Sequence, residues 1–175
     1  MLIEELRTLD DRNVRWTPAG NLHLTLRFLG ELTSAQYAEA QELLRGTAET
    51  DTFRLHITGT DAFPSFGKPS VLVLKLEGRT SEDHAALLAI QKNMEEYARQ
   101  LGLPPEHRPF RPHITLGRVR RGQKIQRSLE QSLRNIKPDR FDSAEGIVQT
   151  VHLVESTLTP SGARYRTVAG YDLSA

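Results

Sequence analysis

Two histidines occupy the same short pattern at widely separated places in the chain. His23 and Thr25 lie in LHLTLRFLG, residues 22–30, and His113 and Thr115 lie in PHITLGRV, residues 112–119. In the first stretch Leu22, Leu24, Leu26 and Phe28 alternate with His23, Thr25 and Arg27. This is a strand's period, which predicts an apolar face for a core and sets an imidazole and a hydroxyl about 6–7 Å apart on the opposite face. Two such strands supply four converging groups. An imidazole's ordinary pKa of about 6.5 lets a neutral ring accept a proton at the same pH at which a charged ring donates one. Threonine hydroxyls donate to anionic oxygens without adding a competing base. The set suits cleavage of a phosphodiester, in which the attacking oxygen loses a proton, the leaving oxygen gains one and the non-bridging oxygens must be held.

A single His-x-Thr is most often an ordinary strand surface, and the chain contains a third, His56 and Thr58 in LHITG. That copy has Gly59 where the other two have leucine, and it lacks the Pro-containing approach that precedes both. It reads as a surface-strand histidine.

The surrounding sequence supplies mixed elements. MLIEELRTLDDRN has Leu2, Leu6 and Leu9 at helical spacing, and WTPAGN after it reads as a turn. A helix capped by Thr33 or Ser34 is predicted to end at Gly46. Residues 52–62 alternate as a strand, FPSFGKP is a loop, and VLVLKLEG is the next strand. The longest helical pattern runs from a capping serine in SEDHAALLAIQKNMEEYARQLG to Gly102. LPPEHRPFRP leads into the second histidine strand, a weaker helix covers roughly 124–135, and two strands about a TPSG turn form a closing hairpin. The order predicts an α+β fold with antiparallel sheets and helices on their outer faces. Turn, histidine strand, helix and strand pair recur in both halves, which predicts a pseudo-twofold, bilobal arrangement with a central cleft.

Composition narrows the function classes. Twenty-three Lys and Arg against 22 Asp and Glu leave a net charge of +1, so an anionic partner must be caught locally rather than by a global field. No cysteine is present, which removes disulfides, thiolate metal sites and cysteine nucleophiles. Six histidines without an HExxH-type spacing give no metal site, and no cofactor is expected. No apolar run approaches the roughly 20 residues of a membrane span, and no signal peptide is recognisable, so a cytoplasmic protein without membrane association is expected.

The HLTL and HITL pair, the FLG after the first, the RPH before the second and the closing VHLVESTLTPSGARYRTV resemble the two-histidine phosphoesterase superfamily. Within it the chain is similar to the RNA 2',3'-cyclic phosphodiesterases, historically called 2'-5' RNA ligases. The resemblance implies one bilobal domain over residues 1–175, with two antiparallel sheets facing across a cleft. It implies hydrolysis of 2',3'-cyclic phosphate ends of RNA or small nucleotides to 2'-phosphates, with reversible 2'-5' ligation as the backward reaction, in a monomer.

By motif, His23 would be the proton donor and His113 the proton acceptor, with Thr25 and Thr115 on the phosphate oxygens. His56, His84, His107 and His152 fall outside both motifs. Arg27 and Arg118 either meet a phosphate or are solvated strand charges, and Phe63, Phe66 and Phe110 either stack on a base or anchor their loops. Family members usually begin with a short strand before the first helix, so either the true start lies upstream or the sheet is one strand short here and patched by a neighbouring molecule. The competing reading is a module of the same fold that binds nucleotide phosphates without turnover.

Overall fold

The computed structural model describes residues 2–141, 146–159 and 162–174. The fold is α+β with antiparallel sheets, and the chain divides into two compact units.

The first unit comprises residues 1–25, 56–77 and 111–145. It opens with α1 (Leu2–Leu9), which buries Ile3 and Leu6, and continues into β1 (Val14–Trp16) and a 3-10 turn at Ala19–Asn21. Most of β2 (Phe53–Phe63), β3 (Val71–Gly78) and β4 (His113–Val119) follow, and the sheet runs in the order β1-β4-β3-β2. One face of this sheet carries Val14, Ala62, Leu72, Leu74 and Leu116 into a core completed by Leu129 and Leu133 of α4 (Arg127–Asn135) and by Phe141. Leu129 and Leu133 are one helical turn apart and fully buried, each stabilising the unit by about 1.5–3 kcal/mol relative to exposure.

The register of β4 decides where its polar residues point. Leu72 pairs with Gly117 and Val73 with Thr115, so Leu116 is an extra residue, a bulge that leaves His113, Thr115 and Arg118 on the face away from the core. Gly117 is required at this bulge. A Cβ there would lie 2.7 Å from Val14 Cγ1 and 3.1 Å from the Arg15 carbonyl oxygen, too close for β1 to pair. Asp10 fastens the end of α1 to both neighbours. It is 1% exposed, and its carboxylate accepts the Asn13 N–H at 3.0 Å and the Gln126 N–H at 2.8 Å. A buried carboxylate is tolerated because these bonds replace its water.

The second unit comprises residues 26–55, 78–110 and 146–175. In it α2 (Ser34–Arg45) is closed at its start by a capping box between Thr33 and Gln36, and α3 (Ser81–Gln100) buries Leu87, Ile90, Met94 and Ala98. The first residues of β2, 53–55, pair antiparallel with β5 (Gly146–Val148), and β6 (Thr150–Thr159) pairs with β7 (Gly162–Asp172) along their whole length.

Four expectations change. The stretch from Leu22 to Gly30 is not a regular strand, since Leu24 alone forms a bridge, to Ile114, while β1 holds the rest of that edge of β4 at 117–119. Phe28, expected on the apolar face, is 67% exposed. The cap of α3 is Thr80 rather than Ser81, because Asp83 stands three residues after Thr80 and the two side chains exchange bonds with each other's backbone N–H. WTPAGN includes the last residue of β1 as well as a turn. Pro160 and Ser161 of the TPSG turn lie outside the described residues.

Candidate active site

Both histidine motifs fall in the first unit. His113 is the first residue of β4, and its Nδ1 lies 2.7 Å from the carbonyl oxygen of Arg111. His23 follows the 3-10 turn, and its Nδ1 lies 2.7 Å from the carbonyl oxygen of Asn21. A carbonyl can only accept, so both Nδ1 atoms carry the hydrogen and donate it. In each ring Nε2 is then the nitrogen without that hydrogen in the neutral form, and the one at which the ring can take up a proton. The carbonyl two residues back is available because Asn21 closes a turn and Arg111 stands in the Pro-flanked approach, before the ladder begins.

The antiparallel bridge between Leu24 and Ile114 brings the motifs together. It sets His23 beside Thr115 and Thr25 beside His113, at the roughly 5 Å between side-chain origins of opposed residues. Ile114 packs against the core, so the four polar side chains project from the other face. The arrangement is a reciprocal rectangle of two imidazoles and two hydroxyls. Each imidazole has a hydroxyl of the other motif as its neighbour. The Phe63 ring meets the His113 imidazole edge-on, with centroids 5.0 Å apart at 89°, and limits its rotation.

A family model of the 2'-5' RNA ligase superfamily matches residues 1–159. The chain belongs to that superfamily. An RNA 2',3'-cyclic phosphodiesterase from Aeropyrum pernix is 32% identical over 155 residues, which cover 89% of this chain and 82% of the relative. The RNA 2',3'-cyclic phosphodiesterase of Aquifex aeolicus is 29% identical over 161 residues, covering 91% and 81%. The chain is a member of this enzyme family. A solved structure from Thermus thermophilus covers 98% of this chain and 88% of its own, with a TM-score of 0.76 at 25% identity. E. coli LigT bound to 3'-AMP shares the fold, with a TM-score of 0.73 at 24% identity over 99% of this chain and 90% of LigT.

The remaining candidates of this superfamily member are placed as follows. Arg118 is exposed on the face of His113 and Thr115, three residues beyond Thr115. Arg27 belongs to the second unit and is tied down there. Its guanidinium donates to the carbonyl oxygens of Phe28 at 2.8 Å and Pro104 at 2.5 Å, and its Nε stands 2.9 Å from Glu95 with poor alignment for a hydrogen bond. Its side chain is 10% exposed. Phe66 packs against the core and lies under the Arg134 guanidinium at 4.4 Å, which is the setting of a loop anchor. Phe110 is half-buried in the second unit.

Lys75 is a residue that sequence reasoning missed. It is exposed and directly opposite His113 on β3, hence on the same face. Only the register of β3 against β4 reveals it, because its own strand reads as an apolar run. Among the described residues no group of three or more His, Cys, Asp or Glu side chains could hold a metal ion. No helix among them is long and apolar enough to cross a membrane.

Proposed function

We propose that the protein hydrolyses 2',3'-cyclic phosphate ends of RNA or of nucleotides to 2'-phosphates, with two histidines and no further group as acid and base. The observation that carries this reading is the matched pair of Nδ1–carbonyl bonds at 2.7 Å, which leaves the Nε2 atoms for proton transfer. The names of the relatives support the substrate class.

Neutral His113 takes a proton from water through Nε2 as the water oxygen bonds to phosphorus. The bond from phosphorus to the 3' oxygen breaks, and protonated His23 gives its Nε2 proton to that oxygen. The product is a 2'-phosphate beside a 3'-hydroxyl. His113 is left charged and His23 neutral, and exchange with solvent restores them. Thr25 and Thr115 donate to the non-bridging oxygens where charge collects. Ligation follows when the 5'-hydroxyl of a second strand replaces water: His113 takes its proton, the same 3' oxygen leaves with the proton of His23, and the ends are joined through a 2'-5' bond, which the exchanged roles cleave again.

The test is turnover of a nucleoside 2',3'-cyclic phosphate, with and without chelator, followed by identification of the product isomer. A 2'-phosphate formed equally in both is expected. A 3'-phosphate product would reverse the acid and base assignment, and binding without turnover by folded protein would establish the binding module instead.

A further inference from the structure

On the face that carries the histidines, the edge of the sheet holds an arrangement that costs stability and has no ion-pair partner among the described residues. Arg15 of β1 and Arg118 of β4 are direct partners across the antiparallel pair, and both are exposed. Like charges placed opposite each other on a sheet destabilise it. The next outward residue on that face is a third arginine, Arg120, whose N–H continues the ladder by donating to the Asn13 carbonyl oxygen at 2.8 Å. Arg121 follows in the exposed turn closed by the Gln123 N–H on the Arg120 carbonyl oxygen.

None of these four forms an ion pair among the described residues, whereas Arg7, Arg27, Arg45, Arg99, Arg108, Arg134, Arg140 and Arg166 each have an acidic partner within 3.1 Å. The nearby carboxylates are committed elsewhere. Asp10 caps Asn13 and Gln126, and Asp11 holds Arg7 at 2.7 Å.

We propose that Arg15, Arg118, Arg120 and Arg121 form a second anion site that holds backbone phosphates of single-stranded RNA a few nucleotides upstream of the cyclic end. This rests on the reading under Proposed function. His113 and Arg118 stand opposite Lys75 and Val71, four residues apart on β3, so about 13 Å of strand separates them and the arginines lie outward of a phosphate seated between the histidines. Guanidinium forks match phosphate bidentately, and a file of them running outward from the reaction centre matches a polyanion rather than a compact ligand. The site also accounts for how a protein of net charge +1 catches RNA, through one local tract rather than an overall field. The inward half of the enzyme then reads the cyclic end, and the outward half reads the chain behind it. The substrate class it selects is an oligoribonucleotide with a 2',3'-cyclic terminus.

The experiment compares kcat/KM for a nucleoside 2',3'-cyclic phosphate and for a hexaribonucleotide ending in one, at several salt concentrations, in the wild-type protein, Arg15→Gln and the double variant Arg120→Gln/Arg121→Gln. The wild type is expected to prefer the hexamer, with log kcat/KM falling steeply against log salt for the hexamer only. Each removed arginine should lower the hexamer-to-mononucleotide ratio severalfold and flatten the hexamer's salt slope by about 0.7. Arg15→Gln should melt no lower than wild type, since it relieves a like-charge pair, so a loss of preference is not a loss of fold.

An unchanged ratio and slope in both variants would overturn the site, as would a wild type without preference for the hexamer. Should neither substrate turn over, the proposed function fails. The site is then judged by anisotropy of a labelled hexaribonucleotide, whose affinity must still fall in Arg15→Gln for the inference to stand.

Discussion

His-x-Thr occurs three times in this chain, and the three copies differ less in their own residues than in what stands two positions before the histidine. At His23 and His113 that residue offers its carbonyl oxygen to Nδ1 at 2.7 Å. Before His56 it is Arg54, inside β2, whose carbonyl oxygen already accepts the Arg79 N–H at 3.0 Å. His56 Nδ1 and Thr58 Oγ1 are buried and have no hydrogen-bond partner among the described residues. A histidine well inside a ladder finds its neighbouring carbonyls spent on the ladder, whereas one at the start of a strand, or just outside it, does not. The pattern proposed as catalytic is a strand entry followed by histidine, and the tetrapeptide is only its visible part.

The sharpest way to break this contrast is to remove each imidazole in turn. His23→Ala and His113→Ala should each lower kcat by about 10²–10⁴, the usual contribution of a positioned acid or base, while His56→Ala should leave kcat within a fewfold of wild type. The rate of the intact enzyme should be bell-shaped in pH. A base must be unprotonated, so residual activity in His113→Ala should lose the fall on the acid side. An acid must be protonated, so His23→Ala should lose the fall on the alkaline side. A loss in His56→Ala equal to the other two would erase the distinction.

The hydroxyls extend the test at smaller amplitude. Thr25→Val and Thr115→Val should each reduce kcat by about 10² with little change in melting temperature, as expected for one lost donor to developing charge. Thr58→Val should do the opposite, leaving kcat alone and raising stability by about 1 kcal/mol, because it replaces a buried hydroxyl without a partner by a methyl of the same shape.

The smallest effect concerns the strand that carries the third copy. Asp83 completes the capping box of α3 by accepting the Thr80 N–H at 3.1 Å, and it accepts the Arg54 N–H at 2.7 Å, the chief reason its carboxyl is held below the usual carboxylate range. A lowered pKa means that the stabilisation is present at neutral pH and is lost as pH falls through the folded-state value. Asp83→Ala should cost about 1 kcal/mol in denaturant unfolding at neutral pH, and the difference from wild type should shrink in acid.

The sequence made the helices legible because each has apolar residues at helical spacing, joined in α2 and α3 by a cap, and it made β3 legible because its apolar run is long. β1 and β5 were not legible, since three residues carry no period to detect. The motif at His23 was legible as chemistry but misread as a strand, because alternation reports which way side chains point and not whether the backbone has a partner. Phe28 shows the cost of that misreading, for an alternation carried past Thr25 predicts burial where the residue is exposed. Lys75 and Arg15 acquire their meaning only from register, which pairs them with residues far away in the chain.

The single bridge at Leu24 gives the two motif histidines unequal footing. His113 is built into a ladder flanked by β1 and β3, while the segment of His23 pairs with that ladder through one backbone bridge among the described residues. Opening one bridge requires far less free energy than melting a sheet. The two motifs can therefore come apart while the fold is intact, and activity is expected to be lost on heating before the protein as a whole melts.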